Sequence, residues 1–298
     1  MSGAWATGPP ATGAGDGLES VGAALRRAVS DGRSGAALYV RLAAARTRGQ
    51  MQYKVSFVLE SLATFIGTGL DFVTILVFFT RFDHIGGWTM PEVALLYGLV
   101  GVSFALAQFL GAGFEDFEEV IRRGTFDQVL VKPRGAFLQV TGSQFPLRRA
   151  GRLLQAGTVL ALALWWLEVE WGPGKWAFLG WTVLGGALFF MGLLLLKAAV
   201  CFFTVQSVEA TNVLTYGGQE MAGYPMHIYG PWLRRAFVFV VPLAFVNYFP
   251  AVYLLGKPSP MGDAATYAAL AFPLCGVVLL FGIAAWRVGV RHYQSTGS

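Results

Sequence analysis

The chain has 298 residues, of which 55% are hydrophobic and 13% charged, with a mean hydropathy of +0.56. Soluble domains carry roughly a quarter charged residues, so this composition excludes an ordinary water-soluble enzyme and divides better into membrane spans. The formal net charge of +5 is explained by positive cytoplasmic loops rather than by nucleic acid.

Residues 1–35 are rich in Gly and Ala, contain Pro9–Pro10 and lack an apolar core. They read as a flexible cytoplasmic tail without a cleaved signal peptide. Ala36–Met51 sets Leu38, Leu42 and Ala45 on one side of a helix and Arg41 and Arg48 elsewhere. Such a helix can lie along the inner membrane surface; the alternative is a cytoplasmic extension of the first span.

A span needs about 20 mostly apolar residues. Six stretches meet or approach this: Val55–Thr80, Val93–Gly113, Leu153–Leu167, Trp176–Phe203, Ala236–Leu255 and Thr266–Trp286. The third is short. The fifth contains Pro242, Asn247 and Pro250, so a break near its far end is expected. The expected fold class is all-α: a polytopic membrane protein with six transmembrane helices and an N-terminal interfacial helix. The transmembrane domain is expected over 36–290, with a short tail after it.

Counting Lys and Arg sets the orientation. Eighteen fall on one side, and Arg81, Lys175 and Lys257 on the other, with Lys197 inside span four. The excess places both termini in the cytoplasm. Trp88, Trp171, Trp176, Trp232 and Trp286 fall at span ends, where indoles prefer the headgroup layer. Ser103, Ala107 and Gly111 put small residues on one stripe of span two, suited to close packing within the chain or to a dimer seam.

The stretch after span two reads FEDFEEVIRRGTFDQVLVKPRG. Glu115, Asp116, Glu118 and Glu119 come first, and Arg122 and Arg123 last, an order that suits a helix dipole. Phe114, Phe117 and Ile121 recur at helical spacing and give an apolar edge, and Gly124 can end the helix. A short amphipathic helix is expected directly after span two: a docking element for a cytoplasmic partner, or a solvated extension.

Glu60, Asp71 and Lys197 fall inside expected spans, where a charge costs at least about 2.5–3.5 kcal/mol and wants a partner or water. Glu60 and Lys197 sit at matching depths, roughly 8 and 9–10 Å from the inner end at 1.5 Å per residue. They could pair, or both could snorkel to the headgroups. Asp71 lies deeper without an evident partner; it could face a water-filled pathway or make a structural hydrogen bond.

No phosphate-cradling G-x-x-x-x-G-K-[ST] occurs, nor a hydrolase or metalloprotease signature. Cys201 and Cys275 lie in apolar runs, and the three histidines are far apart. No catalytic residue, metal site or cofactor is expected in this chain.

MQYKVSFVLE at the start of span one, GGWTMPEVALLYGL entering span two and FEEVIRRGTFDQVLVKPRG after it resemble, in that order, the ABC-2 type permease subunits of ATP-binding-cassette transporters. LTYGGQEMAGYPMHIYGPWLRR and VPLAFVNYFPAVYLLG extend the resemblance, which is to the six-span subgroup and covers 36–290. It implies an exporter in a prokaryotic plasma membrane, with a cytoplasmic ATPase dimer that holds ATP and Mg. It also implies a second permease, a distinct chain slightly favoured over a copy, and a coupling helix at Phe114–Gly124. Any helical hairpin between spans five and six is expected to use the short stretch Asn247–Asp263. A stand-alone channel, an ion-coupled carrier and a membrane enzyme are the competing readings. The lack of an internal repeat weakens the carrier, and the lack of a catalytic constellation weakens the enzyme.

Overall fold

The computed structural model describes residues 54–132, 135–143, 150–204, 208–259 and 262–294. The tail 1–35 and the surface helix expected over Ala36–Met51 lie outside them. The regular elements among the described residues are helices, with one isolated bridge between Ile85 and Trp88.

Helix α1 (Lys54–Phe79) turns back into α2 (Met90–Leu110). At the turn, Ile85 and Trp88 exchange N–H···O bonds of 2.9 and 3.0 Å. Gly86 and Gly87 supply φ of 57° and 79°, a mirror-image turn that a side chain would strain. Thr89 and Glu92 form a capping box at the start of α2, with proline in its first turn. Four short helices follow α2: α3 (Ala112–Glu115), α4 (Phe117–Arg122), α5 (Phe126–Val131) and α6 (Ala136–Thr141). Then come α7 (Ala150–Trp166) and α8 (Pro173–Val200). Helix α9 (Val208–Asn212) runs through a π turn, Val213–Gly217, into α10 (Gly218–Ala222). The chain closes with α11 (Pro231–Phe239), α12 (Tyr248–Leu255) and α13 (Ala264–His292). The end of the bundle that carries α3–α6 is termed inner, and the end with Gly86–Trp88 outer.

Helix α2 is the centre: it packs on α7 and α8, and α8 in turn lies along α13. The small-residue stripe of α2 meets α8. Ser103 Oγ donates to the Val183 carbonyl at 3.2 Å, and Gly111 lies against Met191. Helix α1 packs on α7 and α2, and only 11% of its apolar window is buried, against 78% for α2.

Among the described residues, four helices are long and apolar enough to cross a membrane: Val58–Phe79, Met90–Leu110, Pro173–Val200 and Ala264–His292. Helix α7 stands where the short third span was expected, with 17 residues.

The fifth expected span, Ala236–Leu255, is corrected. Helix α11 and the stretch Leu243–Leu255 are bent 72° from each other, and both ends of the pair lie at the outer end. Before it, His227 touches Gly86 and stacks on Trp88 at 6.4 Å. After it, Lys257 Nζ donates to the Gly87 carbonyl at 3.0 Å and pairs with Glu92 at 2.8 Å. The segment is a re-entrant hairpin. Its break falls at Val240–Pro242, not near the far end, because Pro242 offers no backbone N–H to continue the helix. Pro250 sits in the first turn of α12, where proline is tolerated. The hairpin is anchored at Asn247, whose Nδ2 donates to the carbonyls of Leu96 at 3.1 Å and Ala222 at 2.6 Å. It therefore spans Pro231–Leu255 rather than Asn247–Asp263.

The chain instead passes from the inner to the outer end between Thr204 and His227. Glu209, Asn212, Gln219 and Glu220 dilute the hydropathy of this segment, which is why apolar length does not reveal it. Arg234, on α11, lies within electrostatic reach of Tyr248, whose ring is 5.7 Å from Trp88. Moving Arg234 and Arg235 to the outer side changes the Lys and Arg count from 18 against 3 to 16 against 5.

Candidate functional site

The stretch after α2 is not one helix. Asp116 breaks it into α3 and α4. The end of α4 is a Schellman turn: Gly124 N–H bonds the Ile121 carbonyl at 3.0 Å and Thr125 N–H the Val120 carbonyl at 3.1 Å. Gly124 has φ of 65°, so the expected helix end is where the sequence put it.

The apolar edge of Phe114, Phe117 and Ile121 is turned into the protein, so it is not the surface that a docking partner would meet. Phe114 and Phe117 are fully buried and Ile121 nearly so. The Phe117 ring lies 5.2 Å from Phe126, 5.1 Å from Phe202 and 4.8 Å from Trp286. Phe114 meets Trp286 edge-on at 5.0 Å. One aromatic cluster thus ties α3, α4 and α5 to the inner ends of α8 and α13.

The acidic cluster is also divided. Glu115 is buried and accepts hydrogen bonds from Gln108 Nε2 at 2.9 Å and from the Tyr216 hydroxyl. Glu119 pairs with both Arg122 and Arg123. Desolvation pushes its carboxyl up, but the hydrogen bonds and charges of Arg123 and Arg122 outweigh this and hold it below its ordinary value. Glu118 is half-buried, and Arg122 and Arg123 are exposed. The face open to a partner is therefore mixed in charge, with Leu130 and Val131 of α5 exposed beside it.

A polar chain runs outward from Glu115. Arg152 Nη1 donates to Gln108 Oε1 at 2.9 Å, and its guanidinium lies 5.5 Å over the Phe104 ring. Next comes a water-sized cavity of ≈ 10 Å³. Asp71, Tyr97, Arg152, Gln155, Gln219 and Glu220 are among its lining residues. Asp71 thus has charged neighbours that its own helix did not reveal.

Glu60 and Lys197 are not brought together. Glu60 is exposed on α1, Lys197 is buried on α8, and α2 and α7 stand between. Among the described residues no ion pair joins them, and no group of His, Cys, Asp and Glu is placed to hold a metal ion. Gln108, Arg152, Gln155, Tyr216 and Glu220 were not legible as site residues, because they are single polar positions on four separate segments.

Apolar helices of spanning length, packed around α2 and joined through buried polar side chains, define a polytopic all-α membrane protein. A family model described as ABC-2 family transporter protein matches residues 65–297. The chain belongs to that family, and is the membrane permease of an ABC transporter. Neither a curated protein nor a solved structure matches it.

Proposed function

We propose that this permease forms the translocation pathway of an exporter in a prokaryotic plasma membrane, with its inner end and both termini in the cytoplasm. A separate ATPase dimer docks on the inner end and holds ATP and Mg; a second permease, a distinct chain slightly favoured over a copy, completes the pathway. The positive charge remaining at the inner end supports this orientation. The largely uncovered α1 suits lipid or the second permease.

The observation that carries the reading is the inner joint. Helix α2 enters α3 and α4 with no linker, and the Phe117 cluster fastens α4 to α8 and α13. Force applied at α4 is then shared by three long helices. In this reading Glu118, Glu119, Arg122 and Arg123 meet the ATPase. Phe114, Glu115, Asp116, Phe117 and Ile121 transmit its motion, and Gly124 sets where α4 turns.

Purification through a tag on the permease tests this. Arg122→Glu with Arg123→Glu is expected to reduce the ATPase retained while leaving the amount of folded permease unchanged. Wild-type retention together with wild-type transport would sink the docking assignment.

A further inference from the structure

Asp71 on α1 and Glu220 on α10 line one cavity and lie close enough to feel each other's charge. Neither belongs to an ion pair among the described residues. Arg152 is the cation beside them, but its guanidinium is committed inward, to Gln108 and over Phe104. Counted as ionised, two carboxylates against one guanidinium give the cavity a formal charge of −1.

Gln155 lines the same cavity. It is 4% exposed, and its Nε2 makes no well-formed hydrogen bond, with Tyr97 the polar group beside it. A buried polar atom without a well-formed hydrogen bond is uncommon. Turning the amide over presents its oxygen instead, so the side chain can serve a water or a ligand group.

One helical turn further out, the same two segments border an apolar groove of ≈ 400 Å³, lined by Ile75, Val77, Phe78, Ile85, Tyr224 and Ile228. On α1 the step is from Asp71 to Ile75 and Phe78; on the facing segment it is from Glu220 to Tyr224 and Ile228. The groove has the size of a small-molecule site, and Tyr224 in its lining lies within electrostatic reach of both Glu220 and Asp71.

We infer that the groove along α1 is a binding site for a lipophilic organic cation, whose body lies in the groove and whose charge is attracted from the groove's inner end by the nearby carboxylates of Asp71 and Glu220. The inference rests on the exporter reading and names its substrate class. A carboxylate in a low-dielectric site attracts a cation more strongly than in water, and an apolar groove adds area-dependent affinity. An anion of the same shape would meet the unbalanced carboxylates and be rejected.

The test uses the full-length permease in lipid nanodiscs, with empty nanodiscs as blank. Equilibrium dialysis measures tetraphenylphosphonium and tetraphenylborate, which share four phenyl rings and differ in charge. Saturable binding of the cation and none of the anion is expected. Asp71→Asn with Glu220→Gln should weaken cation binding about tenfold or more. Val77→Trp leaves every charge in place and narrows the groove from an exposed position; it should also weaken binding, and it keeps the test open if the carboxylate variant fails to fold. Absence of saturable cation binding, equal binding of the anion, or undiminished binding by either folded variant overturns the inference. ATPase retention on the same preparations separates the two readings. A permease that holds its ATPase but ignores the cation disproves the substrate class alone, whereas cation binding without any ATPase disproves the coupled exporter.

Discussion

Phe117 is where a reading of the sequence and the folded protein differ most in consequence. Its spacing with Phe114 and Ile121 marks an apolar edge, and the structure turns that edge inward onto Phe126, Phe202 and Trp286. Removing a fully buried Phe costs about 3–5 kcal/mol. Phe117→Ala is therefore expected to lower the thermal midpoint of the solubilised permease itself, with or without its ATPase. A midpoint unchanged from wild type would show that the ring packs on nothing. Glu60 and Lys197 give a second residue-scale prediction. With α2 and α7 between them, Glu60→Gln and Lys197→Met should have additive effects on thermal stability, within about 0.5 kcal/mol. A larger coupling energy would mean that the two charges meet. Lys197 alone is a buried amine that removal to Met can relieve, since replacing buried charge with apolar bulk is often neutral or stabilising.

Among the elements, apolar length predicted four long helices well, and α7 as a short helix in the expected place. It failed where polar side chains are satisfied inside the protein. The crossing between Thr204 and His227 carries Gln219, whose side chain is buried, and Tyr216, which bonds Glu115 and Gln108. Hydropathy treats such residues as loop, although Tyr216 is bonded to side chains on α2 and α3 and Gln219 is packed inside the protein. The opposite error came from Ala236–Leu255, apolar enough to span yet folded back by Pro242 and tied down by Asn247. The joint after α2 was legible as helical and correctly ended at Gly124, but burial of Phe114 and Glu115 depends on α8, α13 and the π turn, none of which is local. Helix starts were clearer. Asp263 caps α13, accepting from Thr266 N–H at 3.0 Å, from Ala265 N–H at 3.4 Å and from the Thr266 hydroxyl at 2.8 Å. The Thr266 hydroxyl, then the Thr266 and Ala265 amides, hold its carboxyl below the ordinary Asp value. A depressed folded pKa means the cap is fully present above the ordinary Asp range and is lost as pH falls through the lowered value. Amide exchange at Ala265 and Thr266, compared with that of the uncapped Asp263→Ala, should accelerate only on acidification below that range. Exchange rates that track the variant at neutral pH would show that the carboxylate caps nothing.

The whole molecule is a bundle whose two ends are built differently. At the outer end, the hairpin is clipped by one lysine: Lys257 pairs with Glu92, donates to Gly87 and lies 4.8 Å from the Trp88 ring centre. At the inner end, contact is aromatic and many-sided, and it continues into the polar chain of Glu115, Gln108, Tyr216 and Arg152. Between them, the uncovered side of α1 and the segment ending at Ile228 enclose the acidic cavity and its apolar groove. Among the described residues the outer end is held by a few polar contacts, whereas the inner end is packed as one aromatic and polar unit.

The aromatic cluster also fixes an order of events during synthesis. Its first rings, Phe114 and Phe117, leave the ribosome early, whereas Trp286 belongs to the last long helix. Until α13 has been made and has docked on α8, Phe117 lacks its Trp286 neighbour. The inner joint is thus complete only once the last helix has been made, although its sequence is translated in the first half, and a chain ended before α13 is expected to leave the Trp286 side of Phe114 and Phe117 uncovered.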